Sequence, residues 1–288
     1  MSMHTIENPF LRATVSDTGA ELISVIDKEH GTERIWTGDP AVWNRHAPIL
    51  FPFVGKVMDG KYRIQGREYE MKTQHGFARD LEFTCAAETS DSVTHCLAAT
   101  DWTLARYPYA FRLTVAHRLE GKNLLISWSV ENRGSDRMYF AIGGHPGFLM
   151  PENVRKEDCR IAFPGAGSLR YRNASKAGYA LSETKALPLN EGCAPYQEDI
   201  PDTWIFEDGQ VKCVGIVLPD GKPYVMLHCD QFPMLAVWAN PKGPFICLEP
   251  WFGRTDDEGF RGTIDQKKAI QSLEGGEKKE IAYSIAFL

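Results

Sequence analysis

Alternation with a period of two residues recurs along the chain, and no stretch sustains the longer period of an extended amphipathic helix. Phe111, Leu113, Val115 and Leu119 alternate with Arg112, Thr114, Ala116 and Arg118. Past the turn Glu120-Gly121-Lys122-Asn123, Ile126, Trp128 and Val130 alternate with serines, which reads as a hairpin. Tyr62 and Ile64 lead into Gln65-Gly66-Arg67, a second hairpin signal. Residues 211–218 and 223–229 flank Pro219-Asp220-Gly221-Lys222, a third, and Ile281, Tyr283, Ile285 and Phe287 mark a final strand. Helical structure is limited to one short turn at 39–44. The pattern predicts an all-β chain of two large packed sheets. Residues 151–199 are the least periodic and read as a long excursion that covers or borders a site.

No Gly/Ser linker or charge block divides the 288 residues, so one domain over 1–288 is expected, and 43% hydrophobic residues suffice for a sizeable core. A net charge of −6 without any basic run argues against nucleic acid or an anionic membrane as partner. The seven cysteines are odd in number and form no CxxC pair, which argues against a disulfide framework and against a zinc site. They are expected to be reduced. The start, Met1-Ser2-Met3-His4-Thr5-Ile6-Glu7-Asn8, has no apolar signal region and no run reaches transmembrane length, so a cytoplasmic location is the expectation.

Polar residues break the strand rhythm at five places. In Phe245-Ile246-Cys247-Leu248-Glu249-Pro250-Trp251-Phe252-Gly253-Arg254 an apolar run spends one carboxylate and then meets proline. An ionised carboxylate in such a setting is costly unless paired. One reading holds Glu249 at a pocket mouth with raised proton affinity, suited to acid–base work; the other is a strand end meeting solvent. His145, in Ile142-Gly143-Gly144-His145-Pro146-Gly147-Phe148, sits among glycines that allow close approach of a ligand, and histidine titrates near neutrality; a structural turn histidine is the alternative. His75 lies in Gln74-His75-Gly76-Phe77-Ala78-Arg79-Asp80, and Arg45 precedes His46-Ala47-Pro48-Ile49-Leu50-Phe51-Pro52; each has an ordinary loop or ion-pair reading. Asp202, before Thr203-Trp204-Ile205-Phe206, reads as a turn or cap residue when taken alone. His4, His30, His46, His95, His117 and His228 read as structural or surface.

Together these segments resemble the aldose 1-epimerase (galactose mutarotase) family, in its LacX-like branch. The resemblance rests on Arg45 before Pro48-Ile49-Leu50-Phe51-Pro52, on His75-Gly76-Phe77-Ala78-Arg79, on Gly144-His145-Pro146-Gly147-Phe148 and on Leu248-Glu249-Pro250-Trp251, in register across essentially the whole chain. Asp202 is similar to the family's sugar-binding aspartate. The resemblance implies a large antiparallel β-supersandwich, galactose mutarotase-like, with a sugar in an open cleft on a concave sheet. It implies Glu249 as base and His145 as acid, with Arg45, His75 and Asp202 holding hydroxyls and Trp251 stacking on the ring. It implies a small-molecule sugar as partner, no metal or cofactor, and a monomer or homodimer. One departure stands out: more distant mutarotases carry Asn-His-Thr or Asn-His-Ser where this chain has Gly144-His145-Pro146.

Three other functions fit the residues. Lys56, Arg79 and Arg254 follow the motifs and could meet the phosphate of a hexose 6-phosphate. Asp202 and Glu249 could pair as in a glycosidase. A sugar-binding module without turnover would keep the cleft alone.

Overall fold

The computed structural model describes residues 2–288, and antiparallel strand pairing dominates it, with 46% strand and 7% helix. Among the described residues the α-helix is a single turn, Asp101–Leu104, capped by Thr100. One large sheet has nine strands in the order Cys193–Pro195, Arg160–Ala162, Cys213–Val217, Pro223–His228, Lys278–Phe287, Asn123–Asn132, Phe111–Glu120, Ser92–Ala98 and Thr84–Glu88. The other runs Lys185–Leu187, Leu169–Asn173, Trp204–Phe206, Met234–Trp238, Phe245–Phe252, Ile142–Gly144 and Ile49–Leu50, with Gly147–Leu149 also paired to Phe245–Phe252. A smaller N-terminal sheet, Met3–Glu7, Leu11–Ser16, Leu22–Asp27 and Thr32–Glu33, lays its first strand against Ser92–Ala98 and Phe111–Glu120.

The expected hairpins form as read. Phe111–Glu120 pairs with Asn123–Asn132 from Phe111↔Asn132 to Glu120↔Asn123, so the turn is Gly121-Lys122. Its side chains alternate buried and outward, because successive residues of a strand face opposite sides. Lys61–Ile64 pairs with Arg67–Glu70, and Cys213–Val217 with Pro223–His228. Residues 39–44 make one turn, with the Val42 and Trp43 N–H groups donating to the Asp39 carbonyl. Between the large sheets, aromatic rings interlock: Trp128 lies 5.3 Å from Tyr283 and 6.0 Å from Phe232, which in turn lies 4.9 Å from Phe252.

Residues 151–199 depart from the expected excursion. They hold four short strands, two extending each large sheet. Strands of three to five residues are too short for alternation to show against turn residues on either side. Ala174 and Gly178 from this region do border the cleft described below. All seven cysteines are free.

His117 occupies an inward position of its strand and is buried, with Nδ1 lacking a partner. Burial disfavours the charged ring and pushes its pKa down to about 3. A histidine depressed in the folded state binds its proton more readily when unfolded. Stability tied to this ring is therefore fully present above about pH 6.5 and lost as pH falls toward 3, at up to ~1.4 kcal/mol per pH unit. Urea unfolding between pH 3 and 7 should show a shallower acid limb for His117→Leu than for the wild type, by about one proton's slope.

Candidate active site

Strand Phe245–Phe252 is buried along its whole length. Ile246, Leu248 and Phe252 belong to the main core, whereas Phe245, Cys247 and Trp251 pack in separate clusters. Alternation therefore sets Glu249 on the face turned away from the core. The neighbouring strands repeat the division. Leu235 and Val237 join the core while Met234 and Ala236 do not; Trp204 and Phe206 join it while Ile205 does not. The outer face of this sheet is the floor of a cleft of about 430 Å³.

Glu249 is on that floor and 1% exposed, not at a pocket mouth, and the strand runs on through Pro250 instead of ending there. The pairing explains how. On one side the strand is matched without a break to Met234–Trp238, from Met234↔Trp251 to Trp238↔Cys247. On the other, Gly147–Leu149 pairs with residues 245–247 and Ile142–Gly144 with 251–252. The stretch 248–250 is left without a partner on that side, where the chain turns through His145-Pro146. This gap brings the His145 ring beside Glu249, with Nε2 3.2 Å from Oε2.

The glycines before His145 serve packing rather than ligand approach. A Cβ on Gly143 would come 2.5 Å from the Trp251 ring, and one on Gly144 2.6 Å from the Tyr283 hydroxyl. The His145 ring is boxed by Trp43, His75 and Trp238, at centroid distances of 5.0, 5.5 and 5.6 Å. Burial in this box holds His145 far below the ordinary imidazole range, to about 3, and Arg79 adds to the depression. Burial holds Glu249 well above the ordinary carboxylate range. The Trp251 indole N–H works against that shift without completing an aligned hydrogen bond, and both Glu249 oxygens and His145 Nδ1 lack partners. The pair thus rests with its exchangeable proton on Glu249 and a neutral imidazole.

His75 has a left-handed backbone, φ +66°. The Gly55 N–H donates to its Nδ1 at 3.0 Å, so the neutral ring carries its proton on Nε2 and donates it to the Gln74 side-chain amide, 2.7 Å away, which meets it by its oxygen. The next residue must be glycine, since a Cβ on Gly76 would lie 2.3 Å from the Phe51 carbonyl oxygen. Arg45 lines the cleft and is also an ion-pair partner: it pairs with the Asp80 carboxylate and donates to the Arg79 carbonyl at 3.2 Å. Its segment is anchored by Glu21, whose Oε1 accepts from the His46 and Ala47 N–H groups at 2.6 and 3.1 Å. Trp251 lines the cleft. Asp202 does not: it is exposed in the turn Ile200–Asp202, and its neighbour Thr203, at φ +60°, supplies the lining there.

Trp43, Asn44, Gln74 and Arg79 also line the cleft; Gln74 and Arg79 fall inside the quoted segments, and Trp43 and Asn44 directly precede Arg45. Trp238 and Asn240 line it too and were missed. Trp238 ends a continuously apolar strand, and nothing local tells its outward face from its inward one. His145, Cys247 and Glu249 place possible ligand atoms within 4.8 Å of one another. Burial keeps the Cys247 thiol well above its usual range. Donors held neutral in this way suit proton transfer better than a cation.

Residues 2–191 match the model of the family described as aldose 1-epimerase. The chain is 29% identical to the chromosomal protein LacX of Lactococcus lactis subsp. lactis, over 98% of each chain. Among solved structures it is similar to a galactose mutarotase related enzyme from Lactobacillus acidophilus, at 28% identity and TM-score 0.93, covering 100% of this chain and 97% of that one. It is similar also to a galactose mutarotase-like protein from Lactobacillus casei, at 29% identity and TM-score 0.93, with both chains fully covered. The supersandwich expected from the motifs is therefore the observed fold.

The aromatic box makes its own prediction. Histidine-resolved NMR titration should find His145 neutral through the mildly acidic range, and Trp43→Ala, which opens one wall, should raise its pKa toward 6.5. A wild-type His145 that titrates near 6.5 would contradict the burial argument.

Proposed function

We propose that this chain, which belongs to the aldose 1-epimerase family, is an isomerase that interconverts the α and β anomers of an aldohexose. The observation that carries the reading is the buried contact of 3.2 Å between His145 and Glu249 on the floor of an open cleft. Ring opening needs two proton movements at adjacent oxygens: one away from the C1 hydroxyl and one onto the ring oxygen. A base and an acid held side by side supply both.

Glu249, as carboxylate, takes the C1 hydroxyl proton, and the O–H bonding pair becomes the second bond of the C1 carbonyl. The pair of the C1–O5 bond returns to O5, which receives the proton of His145. The free aldehyde then rotates about C1–C2 and recloses with the roles exchanged. After opening, the proton is on Glu249 and the imidazole is neutral, the distribution that burial favours in the free cleft. Sugar hydroxyls entering the cleft would give the carboxylate oxygens the hydrogen bonds they lack and ease ionisation.

His75 and Arg45 would hold hydroxyls, with Trp251 against the apolar face of the ring. Asp202, exposed beside the lining residue Thr203, would reach the sugar only from the rim. The same placement leaves the two-carboxylate glycosidase reading without support, since Asp202 and Glu249 do not share the lining. One observation favours a phosphorylated sugar as second reading: Arg79 lines the cleft with its buried Nε making no hydrogen bond, 4.0 Å from the Asp80 carboxylate. Arg254 does not add to it, being engaged by Glu207 at 2.6 Å and Asp257 at 2.7 Å.

Polarimetry on freshly dissolved α-glucose, α-galactose and a hexose 6-phosphate, with the buffer rate subtracted, tests the reading. Glu249→Gln and His145→Asn should each lower kcat by about 100- to 10,000-fold, the usual contribution of a positioned acid or base. His75→Asn and Asp202→Asn should mainly raise KM. A Glu249→Gln protein that keeps nearly full kcat would refute the assignment.

A further inference from the structure

A second cluster of histidine, cysteine and carboxylate lies outside the cleft, where the N-terminal sheet meets the nine-stranded sheet. Strand Met3–Glu7 brings His4, and the end of Leu11–Ser16 brings Asp17. From the nine-stranded sheet come Cys85 and His95, directly opposite one another in the pairing of Thr84–Glu88 with Ser92–Ala98, so that their side chains share a face. Possible ligand atoms of His4, Cys85 and His95 lie within 4.8 Å of one another. Asp17 Oδ1 lies 3.0 Å from His4 Nε2 and 3.2 Å from His95 Nε2, and so faces both rings. The His95 ring is fully buried and its Nδ1 has no partner.

We infer that His4, Asp17, Cys85 and His95 bind a divalent cation of the zinc class, which clamps the N-terminal sheet to the edge of the nine-stranded sheet. The donor set is the argument: two imidazoles, a thiol and a carboxylate are borderline-soft ligands, matched to zinc or cobalt rather than calcium or magnesium. Bond lengths of about 2.0–2.3 Å set tetrahedral donor separations of roughly 3.3–3.8 Å, so His4, Cys85 and His95 close on the cation by side-chain movement of about 1 Å, and Asp17, already 3.0 and 3.2 Å from the two rings, completes the set from their side. An outer carboxylate is also in place. Glu88 Oε2 lies 2.7 Å from His4 Nδ1, which would orient the ring with Nε2 toward the cation. Cys85 binds as thiolate and releases its proton to solvent. The four donors come from separate strands without regular spacing, so the chain shows no zinc motif.

The test uses the full chain, stripped with a chelator and titrated with Zn²⁺ by calorimetry, with elemental analysis for stoichiometry. One tight equivalent, proton release and a higher Tm are expected. Co²⁺ should give the visible bands of a tetrahedral site and a thiolate charge-transfer band in the near ultraviolet. Cys85→Ser should abolish that band, and Glu88→Gln should weaken zinc binding by about 10- to 100-fold, as loss of an outer partner does. His4→Asn, on an incompletely buried ring, should also lose tight binding while keeping the chelated protein's circular dichroism. Absence of a stoichiometric site would overturn the inference, as would zinc uptake unchanged in both Cys85→Ser and His4→Asn. A thiolate band lost in Cys247→Ser rather than Cys85→Ser would overturn it too, by placing the cation in the cleft.

Discussion

An ionisable carboxyl on a fully buried strand, with neither oxygen hydrogen-bonded, is the constraint around which the cleft is organised. Such a group costs free energy as a carboxylate, so the fold keeps it protonated and surrounds it with a ring that can exchange that proton. The break between Ile142–Gly144 and Gly147–Leu149 follows from this need. A continuous ladder there would leave no room for His145 beside Glu249. The two glycines follow in turn, because only a bare backbone lets Trp251 and Tyr283 close on the break from either face.

His145 and Glu249 share one exchangeable proton, and the two ways of placing it differ in charge separation rather than in net charge. In the free cleft the neutral arrangement wins, since burial penalises both ions. A polyhydroxylated ligand changes that balance by bringing hydrogen-bond donors to the floor. On the proposed reading, substrate binding would work on the energetic gap between the two placements, tying recognition of hydroxyls to readiness for proton transfer.

Much of the fold was legible because alternation reports directly on which face of a strand is buried. The 111–119 and 126–130 segments paired in the register their turn implied. Residues 151–199 hid their strands because elements of three to five residues carry too little pattern. At the site, Glu249, His145, His75, Arg45 and Trp251 all line one cleft. Depth was not legible. Pro250 read as a stop, yet it sits where the strand has no partner on one side, and a break in pairing 100 residues away in sequence cannot be seen locally. Trp238 was invisible for a similar reason, since an outward tryptophan at a strand end becomes functional only when His145 is carried across to it.

The chain holds two groupings of histidine, cysteine and carboxylate, and their surroundings push them toward different chemistry. Around His145, Cys247 and Glu249 every group is buried among aromatic rings, and the thiol and carboxyl are both held toward their protonated forms. Around His4, Cys85 and His95 two further carboxylates face the rings, at 3.0 and 3.2 Å from Asp17 and 2.7 Å from Glu88, and Cys85 is only half-buried, although burial still holds the Cys85 thiol up and the His95 ring down. Negative charge next to imidazole favours a cation, whether a proton or a metal, while a dry apolar box disfavours one. On the two proposals, the same residue types make a proton-exchanging pair on one sheet and a cation-holding seam on the other. The difference lies in the company each set keeps.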